Sequence, residues 1–184
     1  MLLDRRARVL AGGFMLPGQG RCIGIDLGTR TGIAVYDSTR CGTFDCVDVS
    51  SLNLKPRDGE GAGVRPLRFA AHLVDLLTQV MPVTWVAYER VHAHTGVQAA
   101  HVYGQLMGVL MAQCENFGIL YRAVPVSMGK FAATGNGQAS KQAVHDHVHG
   151  HFRGVSRRVR ANTRLTEDES DALSILMAAL MDLD

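Results

Sequence analysis

The stretch IGIDLGTRTGIAV (residues 23–35) constrains this chain more than any other. Two apolar, β-branched runs flank the sequence Gly28–Thr29–Arg30. That pattern predicts a strand over about residues 21–27 that reverses into a second strand near 31–37. Asp26 interrupts the first run just before the turn. A carboxylate is costly to bury unless it is paired with a cation or hydrogen-bonded, so an acid on an apolar strand asks for a partner.

Three further acids stand in similar surroundings. Glu89 ends the run WVAYE (85–89), and Asp168 and Asp171 open the last helix in TEDESDALSILMAAL (166–180). Thr166 and Glu169 have capping-box spacing, which puts Asp168 in the first helical turn. There the helix dipole alone would account for it, but not for Asp171, which lies deeper among apolar neighbours. The i, i+3 spacing presents both on one helical face. Several carboxylates converging from separate elements imply a bound cation, most economically magnesium or manganese, and hence phosphoryl chemistry.

With 184 residues, 47% hydrophobic and 20% charged, the chain suits one globular domain with a sizeable core. No apolar stretch approaches the roughly 18 residues of a membrane span. Residues 1–20, with Arg5, Arg6 and Arg8 and then a short apolar stretch broken by Gly12 and Gly13, read as a tail rather than a signal peptide. The folded domain is placed at 21–184. Cys22, Cys41, Cys46 and Cys114 form no CxxC pair and read as reduced, structural thiols of a cytosolic protein.

A third strand is expected at 41–49, then a polar Gly- and Pro-rich loop at 51–66 and a helix at about 66–80. A fourth strand follows at 83–89, a helix at about 97–116 and a fifth strand at 118–126. The turn GNGQAS (135–140) leads into a helix starting near Ala139, and the last helix runs from Asp168 towards Leu183. This order predicts an α/β fold: a five-stranded mixed sheet, three strands antiparallel and two added in parallel, flanked by helices. Asp26 and Glu89 would then lie on central strands, where sites of such sheets gather.

Net charge is only +2, but it is unevenly distributed. Arg153, Arg157, Arg158, Arg160 and Arg164 occur with no acid among them, directly before the two helix-borne acids. A phosphate-binding edge explains that placement better than a solvated loop. His145, His147, His149 and His151 invite comparison with a metal site, yet only alternate pairs share a helical face. No acid or Cys completes a tetrahedral set. They read as an exposed polar helix end, ahead of DNA-backbone contact and of zinc.

Taken in order, these segments resemble the RuvC-type crossover junction endodeoxyribonucleases of the RNase H-like superfamily. IGIDLGTRTGIAV resembles the first-strand motif, and VAYERVHAHTGVQAAHVYGQLMGVL (86–110) the segment beginning with the catalytic Glu. ATGNGQASKQAV (133–144) resembles the glycine-containing loop with its basic residue, and DESDAL (168–173) the closing D-x-x-D. The resemblance implies metal-ligating, catalytic roles for Asp26, Glu89, Asp168 and Asp171, with Lys141 on the scissile phosphate. It also implies two magnesium ions, replaceable by manganese, and a homodimer acting on four-way (Holliday) or other branched DNA. The setting would be the cytoplasm of a bacterium or of a phage-infected host, and the spacing suggests a phage-encoded member. His92 stands where many bacterial members carry an aromatic wedge; as a wedge it would stack less strongly than Phe, and a plain polar loop residue remains an equal reading. His92, Arg90 and the Arg run are the expected DNA contacts.

Sugar kinases, actin-like proteins and heat-shock ATPases share the first motif, but they need two lobes that 184 residues cannot supply. No Walker-type loop is present either. A YqgF-like nuclease acting on RNA and a non-catalytic junction-binding protein remain as alternatives. The segment after Glu89 disfavours the first, and the complete set of acids the second.

Overall fold

The computed structural model describes residues 20–40, 47–91, 96–151 and 164–181. Its strands are β1 (Arg21–Asp26), β2 (Arg30–Asp37), β3 (Val47–Asn53), β4 (Val83–Arg90) and β5 (Leu120–Pro125). Its helices are α1 (Val64–Val80), α2 (Val97–Phe117), α3 (Val126–Thr134), α4 (Lys141–His151) and α5 (Glu167–Leu180). The strands form one mixed sheet in the order β3-β2-β1-β4-β5. β1, β2 and β3 pair antiparallel, while β4 runs parallel to β1 and β5 parallel to β4. This is the α/β sheet expected from the sequence.

Side chains alternate across the strands, which gives the sheet two dissimilar faces. One carries Ile23, Ile25, Ile33, Val86 and Tyr88 and is covered by Phe69, Leu73 and Leu77 of α1 and by Leu106 and Leu110 of α2. The other carries Cys22, Ala34 and Tyr36, against Ala172, Leu173 and Leu176 of α5. Gly24, Gly32 and Ala34 leave this face shallow over part of β1 and β2, and a helix can lie close to the sheet there. Asp26 and Glu89 point to this same side, because they follow Gly24 and Ala87 by two residues on neighbouring strands.

Three expectations need correction. β3 runs from Val47 to Asn53 rather than over 41–49, because Ser50, Ser51 and Asn53 pair with β2 despite their polarity. An edge strand needs only one buried face, so polar residues continue it and the loop begins later; residues 41–46 lie outside the described part. Helix α1 begins at Val64, two residues before Pro66. Proline is tolerated there because first-turn amides have no helical acceptor. Helix α3 was not expected at all: VSMGKFAAT is short, contains a glycine and adjoins a strand of similar composition.

Candidate active site

The glycines of the first motif act through contact. An added Cβ at Gly24 would come within 2.6 Å of the Ala172 carbonyl oxygen and 2.8 Å of Leu176. At Gly32 it would overlap the Asp168 backbone. Bare backbone on β1 and β2 thus lets α5 lie against the sheet, with its first turns beside the end of β1. The helix start is fixed independently by the capping box: Thr166 Oγ1 accepts from the Glu169 amide, and the Glu169 carboxylate accepts from the Thr166 amide.

Asp26 ends β1 and Glu89 lies near the end of β4. The parallel pairing of Ile25 with Tyr88 brings the next residues, Asp26 and Glu89, side by side across the ladder. The Tyr103 hydroxyl on α2 donates to the Glu89 carbonyl oxygen at 2.7 Å and anchors that strand end from the opposite face. Lys141, the first residue of α4, places Nζ 3.0 Å from Asp171 Oδ2 and 3.6 Å from Glu167 Oε2. Ser140 fixes the beginning of this helix by accepting from the Ala143 amide at 3.1 Å.

The acids share one electrostatic environment. Burial, then the neighbouring charges of Asp171 and Glu89, push the Asp26 carboxyl up to about 7 despite the opposing influence of Lys141. Burial and Asp171 raise Glu89 as well. Asp171 is raised by burial, against the bond and charge of Lys141. For Lys141 burial disfavours the charge, but the bond to Asp171 and the charges of Asp171, Glu167 and Asp26 outweigh it and lift the ammonium above its usual range. Mutually raised carboxyls at a strand end are a pattern typical of functional sites.

A pocket of about 260 Å³ opens beside them, lined by Glu89, Asp171, Lys130, Lys141, Val126 and others. Lys130 was missed in the sequence because α3 was missed; its signal is that it is the lone charge in 126–134. Among the described residues no three His, Cys, Asp or Glu side chains are drawn together into a ready-made metal cluster. The donor set nevertheless fits a hard divalent cation: the oxygens are carboxylates, and their mutual repulsion is what such a cation would relieve.

Other expected site residues fall elsewhere. Asp168 is half-buried on the first turn of α5. Arg90 is exposed at the end of β4, one residue past Glu89. Arg164 bonds Asp146 at 2.7 Å and His145 Nε2 at 3.0 Å, so its guanidinium is engaged within the protein. His92, Arg153, Arg157, Arg158 and Arg160 lie outside the described residues. The histidine cluster is only in part the mostly exposed helix end expected: His147 is exposed, but His145 is buried and its ring stacks on that of His149. The helix packs against α5 and the residues leading into it, so alternate histidines face inward. Among the described residues no helix is long and apolar enough to cross a membrane.

Comparison with known proteins adds the family. The profile of "Crossover junction endodeoxyribonuclease RuvC" matches residues 22–178. A protein of that name from Nitratidesulfovibrio vulgaris is 33% identical over 129 residues, which is 66% of this chain and 71% of the relative. Among solved structures, T. thermophilus RuvC in complex with Holliday junction substrate superposes with a TM-score of 0.68 at 23% identity, covering 87% of this chain and 92% of the other. The yeast mitochondrial Holliday junction resolvase Ydc2 gives 0.59 at 16% identity, covering 94% and 82%. At those identities the structural likenesses bear on the fold, which is RNase H-like.

Proposed function

Because the chain belongs to the RuvC family of crossover junction endodeoxyribonucleases, we propose that its carboxylate site hydrolyses one phosphodiester in each of two opposing strands of a four-way DNA junction. The family is one of metal-dependent nucleases, and the protein is a Holliday-junction-resolving endonuclease. The finer assignments concern its own residues. Asp26, between the other acids, would hold both of two magnesium ions, with manganese able to substitute. Glu89 would complete the shell of one ion, Asp168 and Asp171 that of the other. Divalent ions held by these four carboxylates would supply the Lewis acidity for activating a water and stabilising the leaving 3′ oxygen.

The protein's part is positioning and charge. Asp26 and Glu89 are fixed by paired strands, Asp168 and Asp171 by a helix pressed against those strands; ligands on rigid elements hold a reacting phosphate more precisely than ligands on loops. Lys141 would neutralise charge building on the scissile phosphate, and Lys130 offers a second cation in the same pocket. Paired nicking needs two sites, so a homodimer is proposed. Arg90, His92, Arg153, Arg157, Arg158 and Arg160 would meet the DNA arms, while Arg164 stays with Asp146 and His145. The observation that carries this reading is the single electrostatic environment of Asp26, Glu89 and Asp171 at the end of two adjacent strands.

The test is incubation of purified protein with a labelled four-way junction, a linear duplex and a structured RNA, with and without magnesium. Magnesium-dependent nicking of the junction alone is expected. Cleavage of the RNA in preference would put the chain with the YqgF-like nucleases, and binding without cleavage would make it a junction-binding module.

A further inference from the structure

Nuclease chemistry makes no use of His145, yet among the described residues it is one of five buried polar or charged side chains, 8% exposed between α4 and α5. Its ring is satisfied on both sides. Arg164 Nε donates to His145 Nε2 at 3.0 Å, which leaves the ring proton on Nδ1. Nδ1–H therefore donates to Ser170 Oγ, 2.8 Å away and itself only 1% exposed. His149, one turn further along α4, stacks on His145 and accepts from the Leu165 amide at 3.4 Å. The residues entering α5 are thus tied to α4 at successive points.

The spacing gives these bonds a consequence. His145 lies four residues beyond Lys141, so both project from one side of α4. Ser170 immediately precedes Asp171 on α5. Two bridges therefore join the same pair of helices, one turn apart on α4 and at adjacent residues of α5: His145 to Ser170, buried, and Lys141 to Asp171, at the pocket. Lys141 is a long, flexible and largely exposed side chain, which loses considerable rotamer freedom when held in one geometry. The short buried bond supplies the rigidity that the lysine lacks.

We propose that His145 is a positioning residue: by bonding Ser170 it holds α4 on the first turns of α5 and so sets Lys141 against Asp171. Its kinetic consequence rests on the nuclease reading, whereas its structural consequence does not. Ser170→Ala removes the acceptor by deleting one hydroxyl. His145→Gln reaches the Nε2 position and keeps an acceptor for Arg164 but not the Ser170 bond. His145→Asn places an amide donor at the Nδ1 position and restores that bond.

Crystal structures of wild type and the three variants give the first readout. The contact of Lys141 Nζ with Asp171, 3.0 Å here, should open in Ser170→Ala and His145→Gln and persist in His145→Asn. Single-turnover nicking of a saturated junction gives the second. The first two variants should slow it about tenfold, as removing an outer partner of a metal ligand commonly does, and His145→Asn should restore it. Because His145 acts through Lys141, neither Ser170→Ala nor His145→Gln should slow the reaction further in a Lys141→Ala background. An unchanged Lys141–Asp171 contact in Ser170→Ala, or the same rate loss with and without Lys141, would overturn the proposal. A wild-type protein that nicks no junction would end the nuclease reading, while the crystal comparison would still decide this one.

Discussion

Gly32 of β2 lies so close to the Asp168 backbone of α5 that a single added carbon would overlap its carbonyl. The contact joins the fold to the chemistry. The helix that carries two of the acids is seated by an absence of side chains on β1 and β2, and a shift of that helix moves Asp168 and Asp171 away from Asp26.

Gly32→Ala should therefore lower both stability and nicking rate. Forcing a methyl into a filled contact costs about 1–3 kcal/mol where neighbours can yield, and here the neighbour is backbone. A loss of about 3 kcal/mol by urea denaturation is expected, with Gly24→Ala, whose added Cβ would lie 2.6 Å from the Ala172 carbonyl oxygen, somewhat milder. Wild-type stability in Gly32→Ala would mean that the helix has room to move.

What the sequence discloses is what has a local cause. The hairpin, the central strands and the capped last helix were legible because each has a local cause: β-branched runs about a glycine turn, or Thr166 and Glu169 at capping distance. Asp26, Glu89 and Asp171 were legible because each breaks an apolar context, whereas Asp168, between Glu167 and Glu169, was legible only by its spacing from Asp171. Lys130 and α3 were not, since nine residues of mixed apolar character around Gly129 fit strand, loop or helix equally well, and only packing on α5 decides among them. His145 failed for the same reason. Periodicity gave its pairing with His149, but whether that side of α4 meets solvent or Ser170 is settled by tertiary contact.

The charge of Asp26 should make stability pH-dependent in a sense opposite to that of an ordinary salt-bridged acid. Its folded-state carboxyl is raised from 3.8 to about 7. Between those values the folded protein binds more protons than the unfolded chain, so this group makes stability fall as pH rises. At about 1.4 kcal/mol per pH unit the full penalty above pH 7 is roughly 4 kcal/mol at most. In the absence of divalent metal, Asp26→Asn should melt higher than wild type at pH 8, with the advantage shrinking towards pH 4. Magnesium should raise the wild-type melting temperature and leave that of Asp26→Asn nearly unchanged. Identical melting of the two proteins across this range would show that Asp26 is not held in the repulsive, buried setting described.

Asp26→Asn, Glu89→Gln and Asp171→Asn should each reduce nicking at least a hundredfold, because even groups that only support metal ligands are worth ~10–100-fold. Junction affinity should be kept or improved, since each change removes negative charge near the phosphates. Affinity should still fall steeply with salt, as the release of counterions from DNA requires. Mobility shifts over a salt series, paired with single-turnover cleavage, separate the two effects. Full cleavage by Asp26→Asn is the result that the proposed ligand set could not survive.

The two lysines of the pocket should divide their work. Lys141 is tied directly to Asp171 at 3.0 Å and carries a charge reinforced by three acids. Lys130 reaches the site through its charge beside Glu89. A cation placed where charge develops is worth more in the transition state than in the bound substrate. Lys141→Ala should accordingly slow single-turnover nicking about a hundredfold, the scale of losing one stabilising donor, and change junction affinity little. Lys130→Ala should affect rate less and affinity more, with a shallower dependence of binding on salt. The decisive comparison is saturating enzyme on one junction at one magnesium concentration. A Lys141→Ala protein that binds weakly but turns over normally once saturated would make Lys141 a phosphate contact alone, and the transition-state role would pass to Lys130.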